Sequence, residues 1–109
     1  MRIGWIGGLT RSEAQLERMA AAAGHRLEFH SGDVGGRGAG DLRALMERVD
    51  FVIILTDINS HGAVIQAKRL AHRLGRGTLV VRSCGASRFQ ALLDAWKVRD
   101  ARLAAPAFG

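Results

Sequence analysis

The heptapeptide VDFVIIL (49–55) constrains the fold more than any other stretch of the chain. After Asp50 it is continuously apolar and rich in β-branched residues, so as a strand it presents an apolar side chain to both faces of its sheet. A strand buried twice belongs inside a parallel sheet covered by helices on each side. Three further runs fit as its neighbours: RIGWI (2–6), HRLEFH (25–30) and TLVV (78–81). In the second of these only Leu27 and Phe29 share an apolar face, which places it near an edge.

The intervening segments read as helices. Thr10-x-x-Glu13 and Ser12-x-x-Gln15 are both capping boxes ahead of Leu16, Met19, Ala20 and Ala23, and Gly24 supplies the stop. Asp41 is the expected cap of LRALMERV (42–49). Ser60 is the expected cap of a helix striped by Val64, Ala67, Leu70, Ala71 and Leu74 and ended by Gly75. Ser87-x-x-Gln90 opens FQALLDAW (89–96), and residues 97–109 follow as a tail that either extends this helix or packs on a neighbouring subunit. The sequence therefore predicts one α/β domain over 1–109. Its architecture is three-layer α/β/α, with a four-stranded parallel sheet in the order 2-1-3-4 of Rossmann and flavodoxin-like folds.

Bulk properties exclude several classes. Apolar residues make up 48% and charged residues 24%, the balance of a globular chain and not of a disordered one. No apolar run approaches the roughly 20 residues of a membrane span, and the N-terminus lacks a signal-peptide pattern. The single cysteine, Cys84, argues against a disulfide framework and for a reducing, cytoplasmic setting. Net charge is +6, with 14 Arg against 2 Lys. Such basicity raises nucleic acid as a partner, but the arginines are spread along the whole chain, and that spacing argues against it. The glycine-rich segment SGDVGGRGAG (31–40) holds neither GxxxxGK[ST] nor GxGxxG, so neither phosphate-loop fingerprint is present.

In a sheet of order 2-1-3-4, ligands bind beyond the carboxyl ends of the strands, at the switch between the first and third. The segments meeting there carry Gly7 and Gly8, then Thr56, Asp57, Ser60 and His61, then Arg82, Ser83 and Ser87. Glycines allow close approach, Arg82 offers a forked donor to a carboxylate or phosphate, and helix starts add free N–H groups. Together they predict a pocket for a small anionic ligand, centred on His61 and Arg82. Plainer readings stand beside this one: Ser60 as a cap, Asp57 as an Asx turn, His61 as an ordinary helix-start residue, His30 as an exposed edge histidine. Cys84 is by default an inert small residue, although a following helix start would favour its thiolate.

Leu42–Gly85, with VDFVIILTDINSHGAVIQAKRLAHRLGRGTLVVRSCGAS at its heart, resembles the bacterial family DUF2325, and the resemblance covers nearly the whole chain, from IGWIGG to the FQALLDAW helix. The resemblance rests on Thr56-Asp57 followed by Ser60-His61, on Ala67-Lys68, and on Arg82-Ser83 with Gly85 and Ser87. His30-Ser31-Gly32 matches the end of that family's second strand, while the glycine-rich loop after it departs from the family's more acidic segment. The resemblance implies that Thr56, Asp57, Ser60, His61, Lys68 and Arg82 share one functional surface.

The expectation is a non-enzymatic ligand-binding or sensing module. Its alternative is a haem or metal protein with His61 as ligand, in which Arg82, Arg88 and Lys68 would meet the haem propionates. A small hydrolase or transferase built on His61, Asp57 and Ser60 or Ser83 ranks below both, because no G-x-S-x-G elbow supports it. A homodimer is also expected, on the ground that Trp96 and Phe108 are large apolar groups near the C-terminus.

Overall fold

The computed structural model describes residues 1–8, 12–57 and 61–104. Strand β1 (Arg2–Ile6) is followed by α1 (Glu13–Ala22), β2 (Arg26–His30), α2 (Gly38–Arg48), β3 (Phe51–Leu55), α3 (His61–Arg73), β4 (Gly77–Val81) and α4 (Ala86–Ala104). All strand pairs are parallel and the order is β2-β1-β3-β4, as the sequence predicts.

Side-chain alternation builds two cores. Ile3, Trp5, Ile53, Leu55 and Val81 face α1 and α4, where Leu16, Ala20, Phe89, Leu93 and Trp96 meet them. Ile6, Val52 and Ile54 face α2 and α3, against Leu42, Leu45, Met46, Val64, Ala67, Leu70 and Ala71. VDFVIIL is thus buried from both sides, and no polar or charged side chain is buried among the described residues. The interior between the layers is apolar.

Two helix starts differ from their predicted positions. Helix α2 begins at Gly38, inside the glycine-rich segment, and Asp41 lies in its first turn instead of capping it. The cause is His30. Its Nδ1 accepts the Gly32 N–H (3.0 Å), so Nε2 carries the hydrogen and donates to the Gly38 carbonyl (2.8 Å). Half-buried His30 therefore pins both ends of the loop, and is not the free edge histidine of the sequence reading. A Cβ at Gly38 would overlap the Asp33 carbonyl oxygen, so only glycine fits there. Ser87 likewise lies within the first turn of α4, because the Phe89 N–H already reaches the Gly85 carbonyl at 3.0 Å. Ser12 occupies the N-cap of α1 without a side-chain cap bond; Thr10 lies outside the described residues.

The C-terminal half of α4 corrects another expectation. Trp96 is only 6% exposed, edge-on to Phe51 at 4.9 Å and to His25 at 5.8 Å. It belongs to the core and is not free to meet a second subunit; Phe108 lies outside the described residues. The sheet's two edges also differ. On β2, Glu28 pairs with Arg48 at 3.1 Å and Arg2 at 3.3 Å. On β4, GTLVV carries no charge, and Thr78 and Val80 are exposed. Among the described residues no helix is long and apolar enough to cross a membrane.

Candidate functional site

Beyond the carboxyl ends of β1, β3 and β4 the structure forms a cavity of about 290 Å³. Its floor is apolar: Trp5 from β1, Leu16 from α1, Leu55 from β3 and Ala86 from α4. Trp5 is fixed by an edge-on contact with Phe89 at 5.4 Å and a tilted one with Phe29 at 6.2 Å. Its rim is polar, with Gly8, Ser12, Asp57, Arg82, Ser83 and Cys84. Apolar walls with a few convergent polar groups are the usual make-up of a small-ligand site.

The rim is built by extending the β3–β4 ladder. The Thr56 N–H reaches the Val81 carbonyl and the Asp57 N–H reaches the Arg82 carbonyl, each at 2.9 Å. This register sets the Asp57 and Arg82 side chains abreast, with Arg82 Nη2 and Asp57 Oδ1 4.0 Å apart. The side chains are 89% and 56% exposed, so water screens the pair and most guanidinium donors remain available. Gly8 adopts φ +82°, and a Cβ there would stand 2.6 Å from Leu55 Cδ1 and 3.8 Å from Trp5 Nε1. Glycine at this point keeps the wall beside the indole open.

For Cys84 the structure favours the plainer sequence reading, an inert residue, over a thiolate activated by the helix start. Burial pushes its thiol pKa up, and nearby Arg88 opposes this only in part. The Arg88 guanidinium is turned toward the Ser83 carbonyl at 3.4 Å. Cys84 is therefore a protonated rim residue at neutral pH and not an activated thiolate.

Of the residues singled out from sequence, Gly8, Asp57, Arg82 and Ser83 line the cavity together. Gly7 lies next to it, its N–H bound to the His30 carbonyl at 2.9 Å, and Thr56 precedes Asp57 at the strand end. His61 and Lys68 are exposed on α3 and Ser87 is exposed on α4; none of the three borders the cavity among the described residues. Ser60 lies outside the described residues. Asp57 and Ser83 thus face the cavity without His61, so the hydrolase arrangement is not assembled there. Among the described residues no group of three or more His, Cys, Asp or Glu could hold a metal ion. Sequence reasoning missed Trp5, Leu16, Leu55 and Ala86, which it placed in strands and helices without asking which of them top the core. The available signal was position: Leu55 ends β3 and Trp5 is the penultimate residue of β1.

The family model of DUF2325, described as an uncharacterized protein conserved in bacteria, matches residues 2–96. The chain belongs to the DUF2325 family. The match runs from the first residue of β1 to Trp96, so the DUF2325 domain contains the whole sheet and every residue of the cavity. No curated protein and no solved structure matches the chain. The DUF2325 description assigns no activity, and function is argued from the cavity itself.

Proposed function

We propose that the chain is a small-ligand-binding or sensing module, with the strand-end cavity as its binding site and an anionic compound as its ligand. The observation that carries this is Arg82: a highly exposed guanidinium on the rim of an apolar-floored cavity, opposed only by Asp57 across 4.0 Å of screened contact. A ligand with a compact apolar body and one carboxylate or phosphate would place the body against Trp5 and Leu55. Its anion would meet Arg82, with Ser83 and Ser12 as neutral partners. The volume of about 290 Å³ limits the ligand to a small metabolite. A haem gains no support from this cavity, which is at the lower end of ligand-pocket volumes and is not bordered by His61. The surface His61 and Lys68 of α3 and the first-turn Ser87 of α4 remain part of the proposal only as residues outside the cavity. A cytoplasmic setting, resting on the one free cysteine, is also part of it.

Thermal denaturation against a panel of small carboxylates and phosphate esters tests the reading. A ligand present at about 100 times its Kd stabilises the fold by roughly 2.7 kcal/mol, a rise on the order of 10 °C for a domain this size. The rise should vanish in Arg82→Ala and persist in Ser87→Ala. A panel with no active member, or equal rises in wild type and Arg82→Ala, refutes it.

We further propose that the chain forms a homodimer, and that the contact is the uncharged β4 edge. Two β4 strands related by a twofold axis would set only Gly, Thr, Leu and Val opposite one another.

A further inference from the structure

Helix α3 carries Lys68, Arg69 and Arg73 and no carboxylate, so this single element contributes three of the chain's net six positive charges. Arg69 and Arg73 stand one turn apart, about 6 Å along the axis. Together with Gln66 they face Ala39, Gly40 and Arg43 of α2 across a groove of about 370 Å³. Arg43 is paired with Glu47 at 3.3 Å, but both side chains are more than half exposed and the pair is screened. Some arginines have nearby acids, Arg2 and Arg48 at Glu28, Arg82 at Asp57 and Arg99 at Asp100, and Arg76 and Arg88 instead reach backbone carbonyls. Among the described residues no carboxylate lies within ion-pair distance of Arg69 or Arg73.

Stability does not account for this arrangement. Like charges at i and i+4 weaken a helix slightly, and a third arginine across the groove adds to the repulsion. An anion in the groove would reverse the sign. Three of the fourteen arginines meet here, because packing α2 on α3 brings Arg43 beside Arg69 and Arg73.

We propose that the α2–α3 groove docks the phosphate backbone of a nucleic-acid duplex. The donor set favours phosphate: three planar guanidiniums suited to bidentate contact, one amide, and a wall of Ala39 and Gly40 that lets a sugar-phosphate strand approach closely. The one-turn spacing of Arg69 and Arg73 suits successive phosphates of one strand. The groove has no aromatic side chain, so it offers no stacking platform for the bases of a single strand. It also lacks the aromatic anchors that dominate protein–protein contacts. Backbone contacts of this kind position a duplex without reading its sequence.

Fluorescence anisotropy of a labelled 20-base-pair DNA duplex tests the inference. Three neutralised phosphates give a salt slope near −2.7, so affinity should fall about 40-fold between 50 and 200 mM NaCl. Arg69→Glu/Arg73→Glu should lose binding at 50 mM salt. Arg99→Glu/Arg102→Glu, which changes net charge equally on the exposed end of α4, should bind within threefold of wild type. Circular dichroism checks both folds, and Arg69→Gln/Arg73→Gln replaces the charge reversal if that variant unfolds. Equal losses in the two pairs would reduce the effect to bulk charge and overturn the inference. So would absence of duplex binding at 50 mM salt, tighter binding of a single strand, or equal displacement by polyglutamate, the last indicating an acidic protein surface.

Discussion

Gly8→Ala probes the cavity wall where Gly8 meets Leu55, and two effects set its size. The residue has φ +82°, and an alanine held there is strained by about 1–2 kcal/mol. The new Cβ would also stand 2.6 Å from Leu55 Cδ1, far inside contact distance. Leu55 is 4% exposed and packed in the α1–α4 core, so moving it is an overpacking event of about 1–3 kcal/mol. The sum is roughly 2–5 kcal/mol, a large share of the 5–15 kcal/mol typical of a small domain. Gly24→Ala provides the reference. It has the same φ of +82° with nothing within 4 Å of an added Cβ, and so isolates the strain. Urea denaturation followed by circular dichroism, at unchanged m-value, should show Gly24→Ala destabilised by about 1–2 kcal/mol and Gly8→Ala by clearly more. If the two variants lose the same stability, Leu55 yields freely and the cavity wall is not the packed surface inferred here.

Two further outcomes are open to measurement. Trp96→Ala should destabilise the fold by about 3–5 kcal/mol without changing oligomeric state, whereas Val80→Lys on the β4 edge should convert a dimer to a monomer in light scattering and remove the dependence of melting temperature on protein concentration; a wild-type monomer, or dissociation by Trp96→Ala alone, contradicts the assignment. Alkylation of Cys84 by iodoacetamide should be slower at pH 7 than that of an unhindered thiol and should reach its plateau at a higher pH, because burial favours the protonated form and thiolate accumulates later as pH rises; labelling at the rate of an unhindered thiol at neutral pH refutes the burial argument.

The sheet was legible because VDFVIIL admits one environment and strict alternation of strands and helices then leaves few topologies. Helix ends were less so. A stretch with five glycines between 31 and 40 has poor intrinsic helix propensity, and no local rule foretells that His30 will brace it until α2 begins at Gly38. Ser87 fits a capping box, yet the helix bond from the Phe89 N–H to the Gly85 carbonyl starts α4 before it. Trp96 was misassigned although its signal was present: it follows Phe89 by seven residues and Leu93 by three, the stripe of a buried helix face. For the site, the strand-end rule located Gly8, Asp57, Arg82 and Ser83. It also placed His61 there, but His61, exposed at the start of α3, does not border the cavity.

The unlike edges of the sheet have a consequence for how copies of this chain can add to one another. A head-to-tail array would need β4 of one molecule to continue into β2 of the next, and there Arg26 and the Arg2–Glu28–Arg48 cluster line the edge. Desolvating those charges opposes every such junction. Pairing of β4 with β4 uses up both bare edges at once and leaves a charged strand at each outer margin. In the proposed dimer, sheet extension would therefore be a terminating reaction, stopping at a closed pair and not propagating into a fibre.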